Sequence, residues 1–321
     1  MNDNSFLEVR DLKKYFPPRE SFLGKTTNPV RAVDGISFGL EEGETLGIVG
    51  ESGSGKSTAA RALLQLDPPT SGTVHFKGHN LTSLPEAELR SLRKEMQIIF
   101  QDPFSSINPR RLIGDVLREP FAIHNLKDNV SESVKELLNQ VGLSSDHAHR
   151  YPHELSGGQL QRVGIARAIA LNPSLVIADE PVSALDVSVQ AQVVNLMMDL
   201  REKLKISYIF ISHDMGIVEY FCDRVAVMYL GKIVEISTSE EIYKAPGHPY
   251  TEALLNAVPG LDPEHTKQKL KIRGDIPDPS NPPQGCSFHT RCPLKEKQCE
   301  EMEPLLKEVS PGHHVACFLK E

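Results

Sequence analysis

Three short stretches hold residues whose types and spacing suit the handling of a triphosphate. The first is Gly50-Glu51-Ser52-Gly53-Ser54-Gly55-Lys56-Ser57-Thr58, which contains the pattern G-x-x-x-x-G-K-[ST]. Its glycines let backbone N–H groups point at phosphate oxygens, and the helix expected after it adds partial positive charge. Lys56 is long enough to reach the β- and γ-phosphates, and the Ser57 hydroxyl can ligate Mg²⁺. The second stretch is Leu155-Ser156-Gly157-Gly158-Gln159, followed by a helical run over 163–170. Ser156 is a good helix N-cap and the two glycines let a phosphate come close, which makes a second anion-binding helix start in one chain. The third is the apolar run 175–178, closed by Asp179 and Glu180. A buried parallel strand delivers such side chains to the C-terminal edge of a sheet, where Asp179 can hold the Mg²⁺ shell and Glu180 can polarise an attacking water.

The elements that must position these groups are legible as changes of period. Short apolar runs at 7–9, 36–40, 45–49, 72–76 and 98–100, broken by glycines, read as strands. The run 45–49 ends where the glycine loop begins, and 59–66 reads as the helix after it, which is the strand, loop and helix order that the loop requires. The Pro-rich, charged stretch 17–29 reads as an exposed loop. Between about 101 and 165 the pattern turns helical, with Val134, Leu137, Leu138 and Val141 on one face and Gly142 as a helix stop. Strands return at 175–178 and 208–212 around an amphipathic helix near 190–200, the alternation of a parallel α/β sheet. Past about 235 the order loosens, and 274–317 holds seven prolines with little apolar periodicity. These shifts divide the chain into a nucleotide-binding core with a β subdomain (1–100), a helical subdomain (101–165), the remainder of the core (166–235) and a C-terminal extension (236–321).

A chain of 321 residues can bury a large core. Its 39% hydrophobic and 24% charged residues, with no apolar run of 18, point to neither a disordered nor a membrane-spanning chain. The start, MNDNSFLEVR, lacks the apolar stretch of a secretory signal, so a cytosolic location is expected. A formal net charge of -8 disfavours broad nucleic-acid binding, which clustered Lys and Arg would carry.

With the glycine loop and the Asp179-Glu180 pair beside it, the LSGGQ stretch resembles the signature of ATP-binding cassette (ABC) ATPases. The resemblance implies an α/β fold: a P-loop, RecA-like mixed sheet core with an antiparallel β subdomain, an inserted helical subdomain and a C-terminal extension. It also explains the two anion sites, because in this family the signature of one subunit, here Ser156, Gly157, Gly158 and Gln159, covers the γ-phosphate of ATP held by its partner's loop. Gln101, after the run 98–100, resembles the Q-loop glutamine that senses metal and attacking water. Ser183-Ala184-Leu185-Asp186 resembles the D-loop, with Asp186 at the dimer interface. His213 resembles the switch histidine, whose neutral imidazole can both donate and accept at the γ-phosphate. Tyr15 stands where members place an aromatic ring against adenine. The catalytic residues implied are therefore Glu180, His213 and Gln101, with Ser57, Gln101 and Asp179 around Mg²⁺.

Further stretches sharpen the likeness. Ser105-Ser106-Ile107-Asn108-Pro109-Arg110, Arg150-Tyr151-Pro152-His153-Glu154, His248-Pro249-Tyr250-Thr251 and Gly285-Cys286-Ser287-Phe288-His289-Thr290-Arg291-Cys292-Pro293 closely resemble the ATPases of oligopeptide and dipeptide permeases. That resemblance implies a peripheral subunit at the cytoplasmic face of the membrane, powering peptide import. Its implied partners are a second, related but non-identical ATPase, two transmembrane permease subunits and an extracytoplasmic peptide-binding protein. The same kind of subunit serves nickel-chelate and glutathione importers. A soluble cassette acting on DNA or ribosomes usually brings long coiled coils, zinc modules or a second cassette, and none is visible in this sequence.

Cys286, Cys292, Cys299 and Cys317 follow the core at spacings C-x5-C-x6-C-x17-C. Disulfides are not expected in a reducing cytosol, whereas four thiolates can close such loops around a metal. The paired C-x2-C knuckles of a zinc ribbon are missing. Some ATPases of the resembled group carry a four-iron, four-sulfur cluster in this extension, which the resemblance implies here; zinc and free thiols stay open. Cys222 reads as a small buried apolar residue.

Overall fold

A computed structural model describes residues 6–18, 28–258, 272 and 274–320. Most of the expected loop at 17–29 therefore lies outside the described residues. The chain runs through β1 (Leu7–Phe16), β2 (Val30–Leu40) and β3 (Thr45–Val49) to the glycine loop and α1 (Lys56–Leu63). β4 (Ser71–Phe76), β5 (His79–Asn80), α2 (Glu86–Leu92), β6 (Met96–Ile99) and α3 (Pro103–Ser106) follow. Next come α4 (Ile113–Ile123), α5 (Val130–Gln140) and α6 (Gly157–Ile169). β7 (Leu175–Asp179), α7 (Val187–Leu204), β8 (Ser207–Ser212) and α8 (Met215–Phe221) alternate as the sequence pattern predicts. β9 (Arg224–Tyr229) and β10 (Lys232–Thr238) form an antiparallel hairpin. They lead to α9 (Ser239–Lys244), α10 (Pro249–Asn256), α11 (Lys297–Glu301), β11 (Lys307–Ser310) and β12 (His313–Val315).

These elements gather into two units, one of Met1–Glu41, Thr45–Leu84 and Ser212–Glu321, the other of Glu42–Glu44 and Pro85–Ile211. In the first, an antiparallel sheet runs in the order β2-β1-β4-β5. Leu7, Val9 and Leu12 bury one side of β1, and register shifts after Val9 let it continue to Phe16 past the charged Lys13 and Lys14. The same unit holds strands in the order β11-β12-β10-β9-β3, antiparallel except for β3 on β9, so the sheet is mixed. All five residues of β3 are buried, as expected of a strand covered on both faces. A Cβ on Gly47 would meet the Cys222 sulfur at 3.0 Å, so Cys222 packs against the strand as a small apolar residue.

In the second unit β8, β7 and β6 pair in parallel. α5 buries Val134, Leu137 and Leu138, and Gly142 at φ 71° follows its C-cap Val141, the helix stop read from the sequence. α7 is longer than the expected 190–200 segment, because Asp186 caps its start and Lys205 in the left-handed region ends it. No helix among the described residues is long and apolar enough to cross a membrane.

Within the described residues the extension carries more regular structure than its composition suggests. β11 and β12 turn through Pro311-Gly312, and β12 adds to the edge of β10. Buried Glu235 on β10 ties the junction, accepting hydrogen bonds from the Gly247 and His248 amides at 2.6 and 2.8 Å and lying 2.7 Å from His313 Nε2.

Candidate functional site

The first unit builds the phosphate loop against β9 and β2. Gly50 and Gly55 sit at φ 152° and 104°, and added Cβ atoms would lie 2.2 Å from the Met228 carbonyl oxygen and 2.0 Å from that of Ala32. Only glycine fits both places. No side chain caps the start of α1 at Gly55, the kind of helix start at which an anion is readily held. Lys56 is 4% exposed and folds back over the loop, with Nζ donating to the carbonyls of Gly50 (2.8 Å) and Glu51 (3.0 Å). The β9–β10 turn braces the loop, since the Gly231 amide donates to the Ser54 carbonyl at 2.9 Å and the Gly231 carbonyl accepts from the Asp34 amide at 2.8 Å.

Tyr15, near the end of β1, is half-buried and donates its hydroxyl to Asp34. Burial and the Asp34 carboxylate push its phenol up to about 12, so it stays a neutral aromatic. The Arg31 guanidinium stands 5.9 Å from its ring centroid. His213 is exposed between β8 and α8, next to Asp214, whose carboxylate caps α8 through the amides of Gly216 (2.9 Å) and Ile217 (3.3 Å).

The second unit brings two of the predicted groups into contact. β6 and β7 are parallel with Ile99 opposite Ala178, so their ends carry Gln101 and Asp179-Glu180 to the same edge. Gln101 Nε2 donates to Glu180 Oε2 at 3.0 Å. Asp179 is 6% exposed, whereas Glu180 stands at φ 46° where β7 has ended. The Glu180 amide donates to the Ile211 carbonyl (3.0 Å), and its own carbonyl accepts from the Ser183 amide (3.2 Å) and hydroxyl (3.1 Å), which pins the bend.

At the start of α6 a capping box forms. The Ser156 hydroxyl accepts from the Gln159 amide at 3.3 Å, and the Gln159 side chain accepts from the Ser156 amide at 3.0 Å. Ser156 is exposed and Gln159 half-buried. Gly158 also has a packing reason to be small: its Cβ would sit 2.5 Å from Val189 Cγ1, where α6 meets α7. Gly157 meets only an ordinary contact at 3.6 Å. Asp186 accepts from the Val189 amide (3.0 Å) and the Ser188 hydroxyl (2.7 Å), which hold its carboxyl below the usual range, and its neighbour Val187 is 82% exposed.

Three residues at the sites were not anticipated. Arg167 on α6 donates to the Ser106 carbonyl at 2.6 Å, joining the signature helix to the segment after Gln101. Tyr250 accepts the Glu51 amide proton on its hydroxyl at 2.8 Å, and Arg291 pairs with the Glu51 carboxylate. His248-Pro249-Tyr250-Thr251 begins α10, with His248 as its N-cap and Pro249 in its first turn; nothing in the residue types signals a reach to the glycine loop.

Cys286, Cys292, Cys299 and Cys317 line one pocket with Phe288 and Leu319. None is in a disulfide. Burial pushes the Cys286 thiol up to about 11 and raises Cys292 and Cys317, with the neighbouring sulfurs adding to the shift. Among the described residues, no three His, Cys, Asp or Glu side chains are gathered as one bound ion requires. Ligands of a single tetrahedral zinc would stand about 3.8 Å apart.

Comparison with known proteins places this geometry. A family model for ABC transporters matches residues 33–183, and one for the C-terminal region of oligopeptide/dipeptide transporters matches residues 234–299. The chain is 52% identical over 323 residues to the oligopeptide transport ATP-binding protein AppF of Bacillus subtilis (strain 168), covering 99% of this chain and 98% of that protein. It is 49% identical over 316 residues to the dipeptide transport ATP-binding protein DppF of Haemophilus influenzae, covering 97% and 96%. Among solved structures, the ATP-binding cassette MJ0796, a dimer in a post-hydrolysis state bound to ADP and Pi, matches with a TM-score of 0.64 and 26% identity over 73% of this chain and 98% of that one. Fold and loop together define an ABC-type ATPase. Since the likeness continues through the extension to nearly every residue of AppF and DppF, the chain belongs to the ATP-binding subunits of the oligopeptide/dipeptide transporter family.

Proposed function

We propose that this chain hydrolyses ATP at the cytoplasmic face of a membrane to drive peptide import through two transmembrane permease subunits, fed by an extracytoplasmic peptide-binding protein. The observation that carries the reading is the uncapped start of α1 beneath a loop that only glycine can close, with Lys56 folded over it. In this reading Gly50, Ser52, Gly53, Ser54, Gly55 and Thr58 wrap the phosphates with their backbone, Glu51 shapes the loop between them, Lys56 neutralises their charge and Tyr15 meets the adenine. Glu180 orients the attacking water, with Gln101 steadying its carboxylate, and His213 hydrogen-bonds the γ-phosphate. Ser57, Gln101 and Asp179 offer the hard oxygen donors suited to Mg²⁺, which when bound neutralises charge on the β- and γ-phosphates. The helix tip of Ser156, Gly157, Gly158 and Gln159, with Ser156 exposed, and the exposed Asp186 and Val187 support a role facing the ATP of a second ATPase subunit, related but not identical to this one.

In the same reading the four cysteines are the thiolate donors of a [4Fe–4S] cluster, supported by their lining one pocket and forming no disulfide. A cluster there would fasten the loops of the extension.

The test is Glu180→Gln in the assembled transporter. It is expected to bind ATP as the parent does while hydrolysis falls about 10²- to 10⁴-fold, the contribution of a general base. Hydrolysis near the parent rate would remove Glu180 from the chemistry.

A further inference from the structure

Glu51 is an unexpected side chain for an anion cradle. Its carboxylate hangs one residue beyond Gly50, in a loop whose amides are to receive phosphate, and an uncompensated negative charge there would repel the ligand. Arg291 compensates it with a two-pronged pair: Nη1 to Oε2 at 2.7 Å and Nη2 to Oε1 at 3.1 Å. The pair is not a surface ornament, since the side chains are 8% and 27% exposed. Glu51 is also held by its backbone. Its amide donates to Tyr250 at 2.8 Å, and its carbonyl receives Lys56 Nζ at 3.0 Å, so the residue that fixes Lys56 is itself fixed by the extension.

An aromatic cluster stands behind Arg291. Tyr229, Tyr250 and Phe288 pack with ring centroids 4.8 to 5.4 Å apart, and the Arg291 guanidinium lies 5.8 Å from the Tyr229 ring. The extension touches the other end of the site as well, because the Pro279 carbonyl accepts from the amide of Arg31, the residue beside Tyr15.

We infer that the C-terminal extension completes the nucleotide site from within the same chain, with Arg291 as the positioning residue that neutralises Glu51 and holds the loop in its phosphate-ready form. The inference rests on the reading of the glycine loop as the ATP site. It assigns the extension a part in ATP affinity beyond any part in docking.

The experiment is ATP titration of the full-length chain. Arg291→Ala should weaken ATP binding about tenfold, and Arg291→Ala with Glu51→Gln should recover most of it, because the stranded charge is gone. Arg291→Lys keeps the charge without the fork and should fall between, which preserves the test should the alanine variant fail to fold. A purely structural role predicts no recovery in the double variant. Parent-like ATP affinity in both single variants, or a double variant as weak as Arg291→Ala, would overturn the inference while leaving the ATP site intact. If Lys56→Ala leaves ATP binding unchanged, the site reading itself fails and this inference with it.

Discussion

At the scale of single residues, the site depends on backbone positions that few side chains tolerate. Glu180 occupies the left-handed region at φ 46°, which costs a non-glycine residue on the order of 1 kcal/mol, and the hydrogen bonds to Ile211 and Ser183 hold it there. The bend ends β7 one residue after Asp179, with the two carboxylates in different surroundings, one buried and one beside Gln101. Gly158 illustrates the opposite constraint, an ordinary helical residue with no room. Val189 is β-branched and cannot swing its methyl aside, so Gly158→Ala should destabilise the chain by about 1 to 3 kcal/mol despite the better helix propensity of alanine. Urea unfolding would measure this, and Gly158→Ala with Val189→Ala should regain most of the loss. Unchanged stability in the single variant would show that α6 and α7 have slack at this contact.

At the scale of elements, the extension is held by β12 on β10, by the buried Glu235 and by the packing around the cysteine pocket. If the pocket holds a cluster, anaerobically purified chain should contain iron and acid-labile sulfide in about four-to-four ratio, lost in Cys292→Ser. Chain lacking both, with the four thiols reactive, would contradict the assignment. The extension is also where the sequence was least legible. β3, β7 and β8 were visible because buried parallel strands are continuous apolar runs, and the glycine loop and signature because phosphate binding restricts residue type. β11 is exposed at every position and β12 has three residues, so neither leaves an apolar period to read; only Pro311-Gly312 marks the turn. The Arg291 contact was hidden for another reason. It joins residues 240 positions apart, and neither partner is of an unusual type for a surface.

At the scale of the whole molecule, the proposed function asks two helix starts, those of α1 and α6, to serve one kind of ligand. No side chain caps the start of α1, whereas the start of α6 carries the capping box of Ser156 and Gln159, with Ser156 exposed. A subunit with one of each calls for a mate, and Val187 beside the second offers apolar surface for one. In the proposed mechanism catalysis belongs to an assembly closed by ATP, in which each subunit contributes part of two sites. The most direct measurement is ATP hydrolysis per subunit across a dilution series of the purified chain, alone and with its partner ATPase. Activity that falls toward zero as subunits separate, with ATP still bound, is the predicted result. A rate per subunit that stays constant down to dilute monomer would contradict it.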